Sequence, residues 1–200
     1  KVRQAYDRTN INELKKEYGI KTDKNFIYVG RLLELKNLVR LLEAFQQLNT
    51  TEWGLLLVGD GEDKDRILNF VKKHQLQNVH FIPAQPWQEV PRFMTLANVL
   101  VLPSYSEAWG LVVNEAMTCG KAVIVSTRCG CYPDLVQEGI NGFTFDPFEV
   151  DQLKNSMDYF LKNPDKLNQF GVESEKIIAE YRPEVVAKDM LSGFRKVCTK

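Results

Sequence analysis

The sequence predicts a doubly wound α/β fold, in which a mostly parallel sheet of about six strands carries helices on both faces and further helices follow at the C-terminus. Short apolar runs bounded by Gly, Pro or Asn alternate with longer segments of helical period, which is the pattern of βαβ units. The chain has 200 residues, is 44% hydrophobic and shows no linker, so it is long enough for one substantial core. We therefore expect residues 1–200 to form a single domain.

The predicted strands are short, apolar and bounded by turn-forming residues, as expected for strands that are buried on both faces. They are Asn25–Val29, Trp53–Val58, Val79–Ile82, Val99–Leu102, Ala122–Ser126 and Gly142–Phe145. The segments between and around them repeat apolar residues at helical spacing, which predicts helices with one face against the sheet. These segments are Asn10–Tyr18, Asn37–Leu48, Asp63–His74, Trp87–Ala97, Leu111–Cys119, Val150–Lys162, Asp165–Glu180 and Pro183–Val197.

The overall charge excludes several function classes. Lys plus Arg and Asp plus Glu both total 26, so no global field would recruit nucleic acid or an acidic membrane surface. The apolar runs are far shorter than the ~20 residues of a spanning helix, so we expect no transmembrane segment. Because the chain begins at Lys1 with a charged stretch, we expect it to be a piece of a longer protein.

The cysteines do not predict a metal site. Cys119, Cys129, Cys131 and Cys198 contain one C-x-C pair but no C-x-x-C spacing, and the two histidines, His74 and His80, lie far from them in sequence. We therefore expect no zinc site, and free thiols in a reducing cytoplasm.

The loop after the first strand carries two cations. Ligands of open parallel sheets bind beyond the carboxyl ends of the strands. Gly30 and Arg31 end the first predicted strand, and Lys36 precedes the next helix, whose first amides also favour an anion. A diphosphate would fit there, although two solvated basic residues at a turn explain the same pattern.

The second strand ends in a Gly-x-Gly. Gly59 and Gly61 would permit close approach of a ligand to the backbone. The loop is not the dinucleotide fingerprint, because Lys64 occupies the position of the third glycine. A tight turn before a helix is the alternative explanation.

The fourth strand runs into a segment, residues 103–117, that holds two glutamates. Gly110 and Leu111 stand where the next helix begins, so the first amides of that helix would point outward to an anion. Glu107 precedes the helix and Glu115 lies inside it, so both can face one cleft. Compensation of the helix dipole is an alternative role for Glu107. Glu115 is flanked by apolar residues, where a carboxylate is costly to bury without hydrogen-bond donors such as sugar hydroxyls.

Taken together, these loops resemble the C-terminal domain of the group 1 glycosyltransferases, which are retaining enzymes of the GT-B fold related to sucrose and glycogen synthases. The resemblance covers about residues 25–194 and implies a Rossmann-like domain. It rests on Gly30-Arg31 with Lys36, Val58-Gly59-Asp60-Gly61, Pro103-Ser104, the stretch from Ser106-Glu107-Ala108-Trp109-Gly110-Leu111 to Glu115-Ala116-Met117, and Asn141-Gly142-Phe143. Glu107 and Glu115 match the family's pair of glutamates separated by seven residues.

The resemblance implies a role for each matching residue. Arg31 and Lys36 would neutralise the diphosphate of the donor and stabilise the departing nucleotide, and Glu107 would hold hydroxyls of the transferred sugar. Glu115 would accept hydrogen bonds from the ribose. The implied donor-binding set is Gly30, Gly59, Gly61, Pro83, Trp109, Gly110, Leu111 and Glu115, with Pro83 beside the base and the amides of Gly110 and Leu111 on donor oxygens.

The same resemblance implies the co-substrate and partners. The donor would be a UDP-, GDP- or ADP-sugar, with no cofactor and no metal, since the two cations supply the neutralising charge. An amino-terminal domain absent from this chain would supply the surface for an acceptor sugar, glycan or lipid-linked glycan. We therefore expect the isolated chain to transfer poorly, and the full-length protein to act in the cytoplasm, peripherally at the inner membrane face.

One loop departs from the family pattern, and other functions compete. Many members carry Gly-Gly-Val-Pro-Glu where this chain has residues 129–134, Cys-Gly-Cys-Tyr-Pro-Asp, so the contacts of that loop are open. An ordinary strand-to-helix turn explains the loop equally well. A noncatalytic nucleotide-sugar-binding or scaffold module that retains the fold is the main alternative. A nucleotide-sugar epimerase would need acid–base groups in the cleft loops, and neither histidine falls there.

Overall fold

The computed structural model describes residues 2–7 and 9–198, so residues 1, 8, 199 and 200 of the predicted domain lie outside the described residues. Its six strands form one sheet, in the order β3-β2-β1-β4-β5-β6. The strands are β1 (Lys24–Val29), β2 (Trp53–Val58), β3 (Val79–Ile82), β4 (Val99–Leu102), β5 (Ala122–Ser126) and β6 (Gly142–Phe145). Every neighbouring pair is parallel, which confirms the predicted doubly wound sheet.

The central strands are fully buried, as the continuous apolar runs predict. All residues of β2, β4 and β5 are buried, because helices cover both faces of a parallel sheet. Five predicted strands have the observed bounds, and β1 begins one residue earlier, at Lys24.

The helices pack around this sheet in sets of neighbours. They are α1 (Val2–Asp7), α2 (Ile11–Glu17), α3 (Leu38–Gln47), α4 (Lys64–Lys73), α5 (Val90–Met94), α6 (Leu111–Thr118), α7 (Tyr132–Leu135), α8 (Val150–Lys162), α9 (Leu167–Ala179) and α10 (Pro183–Cys198). Helix α3 packs against α4 and α8, whereas α6 packs against α5 and α9. No helix among the described residues is long and apolar enough to cross a membrane.

Several helix predictions were too long or missed an element. Helix α5 spans Val90–Met94 rather than Trp87–Ala97, because Pro91 is tolerated only in a first turn and residues 95–97 continue in tighter i to i−3 bonds. The predicted helix Asp165–Glu180 is preceded and partly replaced by a 3-10 turn, Pro164–Lys166, before α9. Three short elements were not predicted, namely α1, α7 and a 3-10 turn at Glu34–Lys36, because each is too short to show a helical period.

The strand order places one crevice at the carboxyl edge of the sheet. The chain moves outward from β1 to β2 and β3, then returns to β4 on the other side of β1. A ligand of such a sheet binds where the order reverses, between the loops that follow β1 and β4. Those loops carry the predicted residues Lys36 and Glu107.

Candidate functional site

Lys36 and Glu107 meet across this crevice. The Lys36 ammonium donates a hydrogen bond to a carboxylate oxygen of Glu107, so the loops after β1 and β4 are joined by an ion pair. The Lys36 and Glu107 side chains are only 17% and 22% exposed, which reduces screening of the pair by water. The two residues predicted to hold the diphosphate and the sugar are therefore in contact.

Asn37 connects the same loops through hydrogen bonds. This residue was not singled out from the sequence. Its backbone is left-handed (φ 58°) and its side chain is buried. The Asn37 amide donates to the carbonyl of Pro103, at 3.1 Å, and to that of Pro147, at 2.9 Å. One side chain thus ties together the loops after β1, β4 and β6. The only signal in the sequence was its type, since asparagine tolerates the left-handed region.

Close packing of the β1 and β2 loops accounts for the Gly-x-Gly. A Cβ on Gly59 would lie 1.9 Å from the carbonyl oxygen of Gly30, and one on Gly61 would lie 2.3 Å from that of Leu32. The loops continue the ladder beyond the strands, with Gly30 N–H donating to Val58 O at 3.0 Å. What approaches these two glycines so closely is therefore the neighbouring loop.

A cavity of about 270 Å³ opens at the ends of β1, β2 and β3. Its lining includes Gly30, Arg31, Gly59 and Trp87. The Arg31 side chain is exposed and makes no hydrogen bond or ion pair within the described part of the chain. Pro83 is exposed just before the lining residues Ala84 and Gln85. An exposed guanidinium beside a cavity with an exposed tryptophan suits an anionic ligand that carries an aromatic base.

Tyr28 holds the loop of Arg31 in place. Its hydroxyl donates to the Arg31 carbonyl at 2.8 Å. Burial, followed by the charge of Glu107, raises the pKa of this hydroxyl well above its ordinary value. Tyr28 therefore acts here as a neutral donor that positions the backbone.

Helix α6 begins at the crevice with its first amides available. Gly110 precedes it in the left-handed region (φ 97°), and the Gly110 carbonyl accepts from Val113 N–H at 2.9 Å. The amides of Leu111 and Val112 have no partner inside the helix by geometry, and the Leu111 side chain is 70% exposed. The Trp109 indole donates to Asn114 at 2.9 Å, so its ring is oriented by α6. This end of the helix can bind an anion.

Glu115 lies apart from the Lys36–Glu107 pair. It lines a cavity of about 660 Å³ together with residues of α1, α6 and α9 and of the turn after α9. Burial raises the pKa of its carboxyl, and this carboxylate makes no hydrogen bond or ion pair with any described residue. The structure does not bring Glu115 into contact with Glu107. The unpartnered carboxylate nevertheless retains full capacity to accept hydrogen bonds from a ligand.

The loop after β5 positions Glu107. Glu107 N–H donates to Arg128 O at 3.1 Å, and Gly130 N–H donates to Glu107 O at 2.9 Å. Burial raises the pKa of the Cys129 thiol to about 12 and that of Cys131 to about 11. Both thiols are thus protonated and buried. The loop of residues 129–134, which departs from the family pattern, supports the backbone of Glu107 through the Gly130 hydrogen bond.

The remaining polar residues considered as ligands are Ser104, which lies near the site, and the two histidines, which do not. Ser104 directly follows the Pro103 carbonyl that Asn37 binds, and its hydroxyl is buried without a hydrogen-bond partner in the described residues. His74 follows α4 and His80 lies in β3, away from the crevice loops. The described residues contain no group of three His, Cys, Asp or Glu side chains arranged for a metal ion.

Comparison with known proteins identifies similar sequences. The sequence profile described as "Glycosyl transferases group 1" matches residues 10–177. The chain is 29% identical to N-acetyl-alpha-D-glucosaminyl L-malate synthase of Bacillus anthracis over 94% of the chain and 51% of that protein.

Solved structures share the fold over a similar span. The sucrose-phosphate synthase of Thermosynechococcus elongatus superimposes with a TM-score of 0.80 and 26% identity, covering 96% of this chain and 50% of that one. The Anabaena protein HepE, solved in complex with UDP-glucose, gives a TM-score of 0.78 and 25% identity over 92% of this chain and 52% of its own. The chain thus spans about half the length of the relatives it matches.

Proposed function

Since the chain belongs to the group 1 glycosyltransferases, we propose that it binds a nucleotide-diphosphate sugar and presents the sugar for transfer to an acceptor. The observation that carries this proposal is the contact between Lys36 and Glu107 at the crevice between β1 and β4. One cation and one carboxylate stand there side by side, where a phosphate and a sugar hydroxyl must both be held.

Lys36 and Arg31 would bind the diphosphate. As the bond between the anomeric carbon and the diphosphate oxygen breaks, negative charge develops on the leaving nucleotide. Lys36 has three N–H donors, so it can hold Glu107 and a phosphate oxygen together, and the exposed Arg31 guanidinium can bind a second oxygen. The first amides of α6, at Leu111, would add donors aimed at the same charge.

The two glutamates would bind hydroxyl groups. Glu107, held by Lys36 from one side, keeps acceptor capacity for sugar hydroxyls near the anomeric carbon. Glu115 has no partner among the described residues, so ribose hydroxyls would supply the donors that its half-buried carboxylate lacks. The base would lie in the cavity beside Trp87, near Pro83.

The remaining features of the proposal come from the family. Transfer would proceed with retention of anomeric configuration and without a metal, since two cations neutralise the diphosphate. HepE, at 25% identity, binds UDP-glucose, which supports a uridine or related nucleotide as carrier. A second domain would supply the surface for an acceptor sugar, glycan or lipid-linked glycan, so residues 1–200 alone would transfer poorly. Cys119, Cys129 and Cys131 are buried free thiols, which suit a reducing cytoplasm.

Calorimetric titration with UDP, GDP and ADP tests the proposed function. Selective binding of one nucleotide, lost in Glu115→Ala and retained in Glu13→Ala on the exposed face of α2, would support a donor domain. Absence of binding to all three nucleotides would instead favour a scaffold that has kept the fold.

A further inference from the structure

A third cavity lies near the Lys36–Glu107 pair, between the starts of α3 and α4. Its volume is about 270 Å³, and it is distinct from the cavity of Arg31 and Trp87. The lining side chains that matter are Glu34, Arg40, Glu43, Asp63, Arg66 and Tyr105. Both charged signs and one aromatic ring therefore face the same space.

Tyr105 is part of a fixed aromatic surface. Its ring stacks on that of Phe148, with centroids 5.1 Å apart and planes 28° apart, and Phe148 is 54% exposed. The Arg40 guanidinium lies 5.9 Å from each ring centroid and donates to the Phe148 carbonyl. Tyr105 N–H donates to Leu35 O at 2.9 Å, which fixes the backbone beneath the ring. The half-buried Tyr105 ring, which lines the cavity, is thereby held as a fixed surface on which an apolar ring face can stack.

Polar groups in this cavity lack partners. Glu43 is half-buried, yet its carboxylate makes no hydrogen bond or ion pair with any residue that the structure describes. The Tyr105 hydroxyl is likewise without a hydrogen bond in the described ranges. Arg66 lies 3.6 Å from Glu34 and from Asp63, which leaves guanidinium donors available. The cavity thus offers both acceptors and donors to a ligand.

The charge balance selects a neutral ligand. Three carboxylates, those of Glu34, Glu43 and Asp63, face two guanidinium groups, those of Arg40 and Arg66. An anion such as a phosphate would meet excess negative charge, and a simple cation would meet the guanidinium groups. A neutral polyhydroxyl ring matches the mixture, because its hydroxyls both donate and accept while its C–H face packs on the aromatic ring.

The position of the cavity connects it with transfer. Tyr105 is two residues from Glu107, so their Cα atoms are at most about 7 Å apart. Asn37, which also lines the cavity, is adjacent to Lys36. A ligand in this cavity therefore lies next to the groups that would hold the sugar being transferred.

We propose that this cavity is a saccharide subsite that adds to the acceptor surface of the second domain and holds a neutral pyranose unit of the acceptor glycan, stacked on Tyr105 and hydrogen-bonded by Glu43 and Arg66. The inference rests on the proposed function for its assignment to the acceptor. The binding itself depends only on the cavity and can be tested separately.

Saturation-transfer NMR tests the subsite with methyl α-D-glucopyranoside, methyl α-D-mannopyranoside and N-acetylglucosamine as probes. The wild-type chain should transfer saturation to the ring protons of at least one probe. Tyr105→Ala and Glu43→Ala should each reduce that transfer by about fivefold or more, whereas Tyr105→Phe should retain most of it because the ring remains. Phe194→Ala removes an exposed aromatic ring from α10 and should leave the signal unchanged.

The outcomes separate this inference from the proposed function. Equal signals in wild type, Tyr105→Ala and Glu43→Ala, or no signal with any probe, would overturn the subsite. Titration of the same variants with UDP reports the donor site independently. Normal UDP binding with no glycoside binding would remove the subsite alone, whereas glycoside binding without nucleotide binding would remove the donor assignment and keep the cavity as a saccharide site.

Discussion

The Lys36 ammonium and the Glu107 carboxylate form an ion pair that joins two loops 71 residues apart in sequence. Both side chains are largely buried, so each neutralises a charge that would otherwise be costly in this position. The pair therefore has a structural role before any ligand is present. Its contribution to the free energy of unfolding is the first measurable consequence.

Breaking the pair should destabilise the chain. Lys36→Met and Glu107→Gln should each lower the free energy of unfolding by roughly 1–3 kcal/mol, because each leaves an uncompensated, partly buried group. The double variant should lose less than the sum, by about 1 kcal/mol, in urea unfolding. The more exposed pair of Lys162 and Asp158 on α8 is the matched control and should show coupling below about 0.5 kcal/mol. A Lys36–Glu107 coupling no larger than this control would contradict the account.

Gly59→Ala should destabilise the sheet edge strongly. The new Cβ would lie 1.9 Å from the Gly30 carbonyl oxygen, and the backbone at Gly59 has a φ of 153°. We expect a loss of more than about 2 kcal/mol in the free energy of unfolding, measured in urea. Gly193→Ala on α10 meets nothing within 4 Å and should stabilise slightly, by up to ~1 kcal/mol. If the two variants unfold at the same urea concentration, the proposed loop packing is incorrect.

The sheet was predictable because its strands are short, apolar and sharply bounded. Five strands match the observed bounds, and Gly59, Pro83 and Pro103 terminate three of them. Helix α5 was not predicted correctly, because a helical period in residues 87–97 does not reveal that Pro91 belongs in the first turn. The turn at α7 is four residues long and carries no period at all.

The site was predictable only where residue type and strand order suffice. Lys36 and Glu107 follow adjacent strands, so their proximity follows from the doubly wound order. The roles of Asn37 and Gly59 depend on which loop lies against which, and that depends on tertiary packing. Glu115 was expected in the same cleft as Glu107, but its direction from α6 depends on the rotation of that helix about its axis.

Replacing Glu115 should remove a destabilisation of the folded state that depends on pH. Burial raises the pKa of this carboxyl, so the folded state disfavours the ionised form. Glu115→Gln should therefore raise the melting temperature at pH 7 to 8, by up to about 2 °C. The gain should shrink as pH falls toward the ordinary glutamate pKa, where the wild-type carboxyl is protonated in both states. Differential scanning calorimetry at several pH values would contradict this if the gain grew on acidification.

Because of Lys121, the free energy of unfolding should rise as the pH increases above about 8. Burial lowers the pKa of its ammonium to about 8, although it donates to the Tyr6 hydroxyl at 2.9 Å. Between this value and the ordinary 10.5, the unfolded chain binds more protons, so stability rises with pH. Lys121→Met should thus be more stable than wild type at pH 7 by up to about 3 kcal/mol, with the difference narrowing above pH 8. A difference in urea unfolding that stays constant from pH 7 to 10 would refute the buried-charge explanation.

The most direct test of the donor site is calorimetric titration of UDP into Arg31→Ala/Lys36→Ala, beside wild type and Lys73→Ala. Lys73 is an exposed cation in the last turn of α4 and serves as the charge-matched control. The account predicts that the double variant binds UDP at least about thirtyfold more weakly, because two charge-assisted contacts to the diphosphate are lost, while Lys73→Ala binds normally. A double variant that remains folded by circular dichroism and binds UDP as tightly as wild type would contradict the assignment of the diphosphate to this crevice.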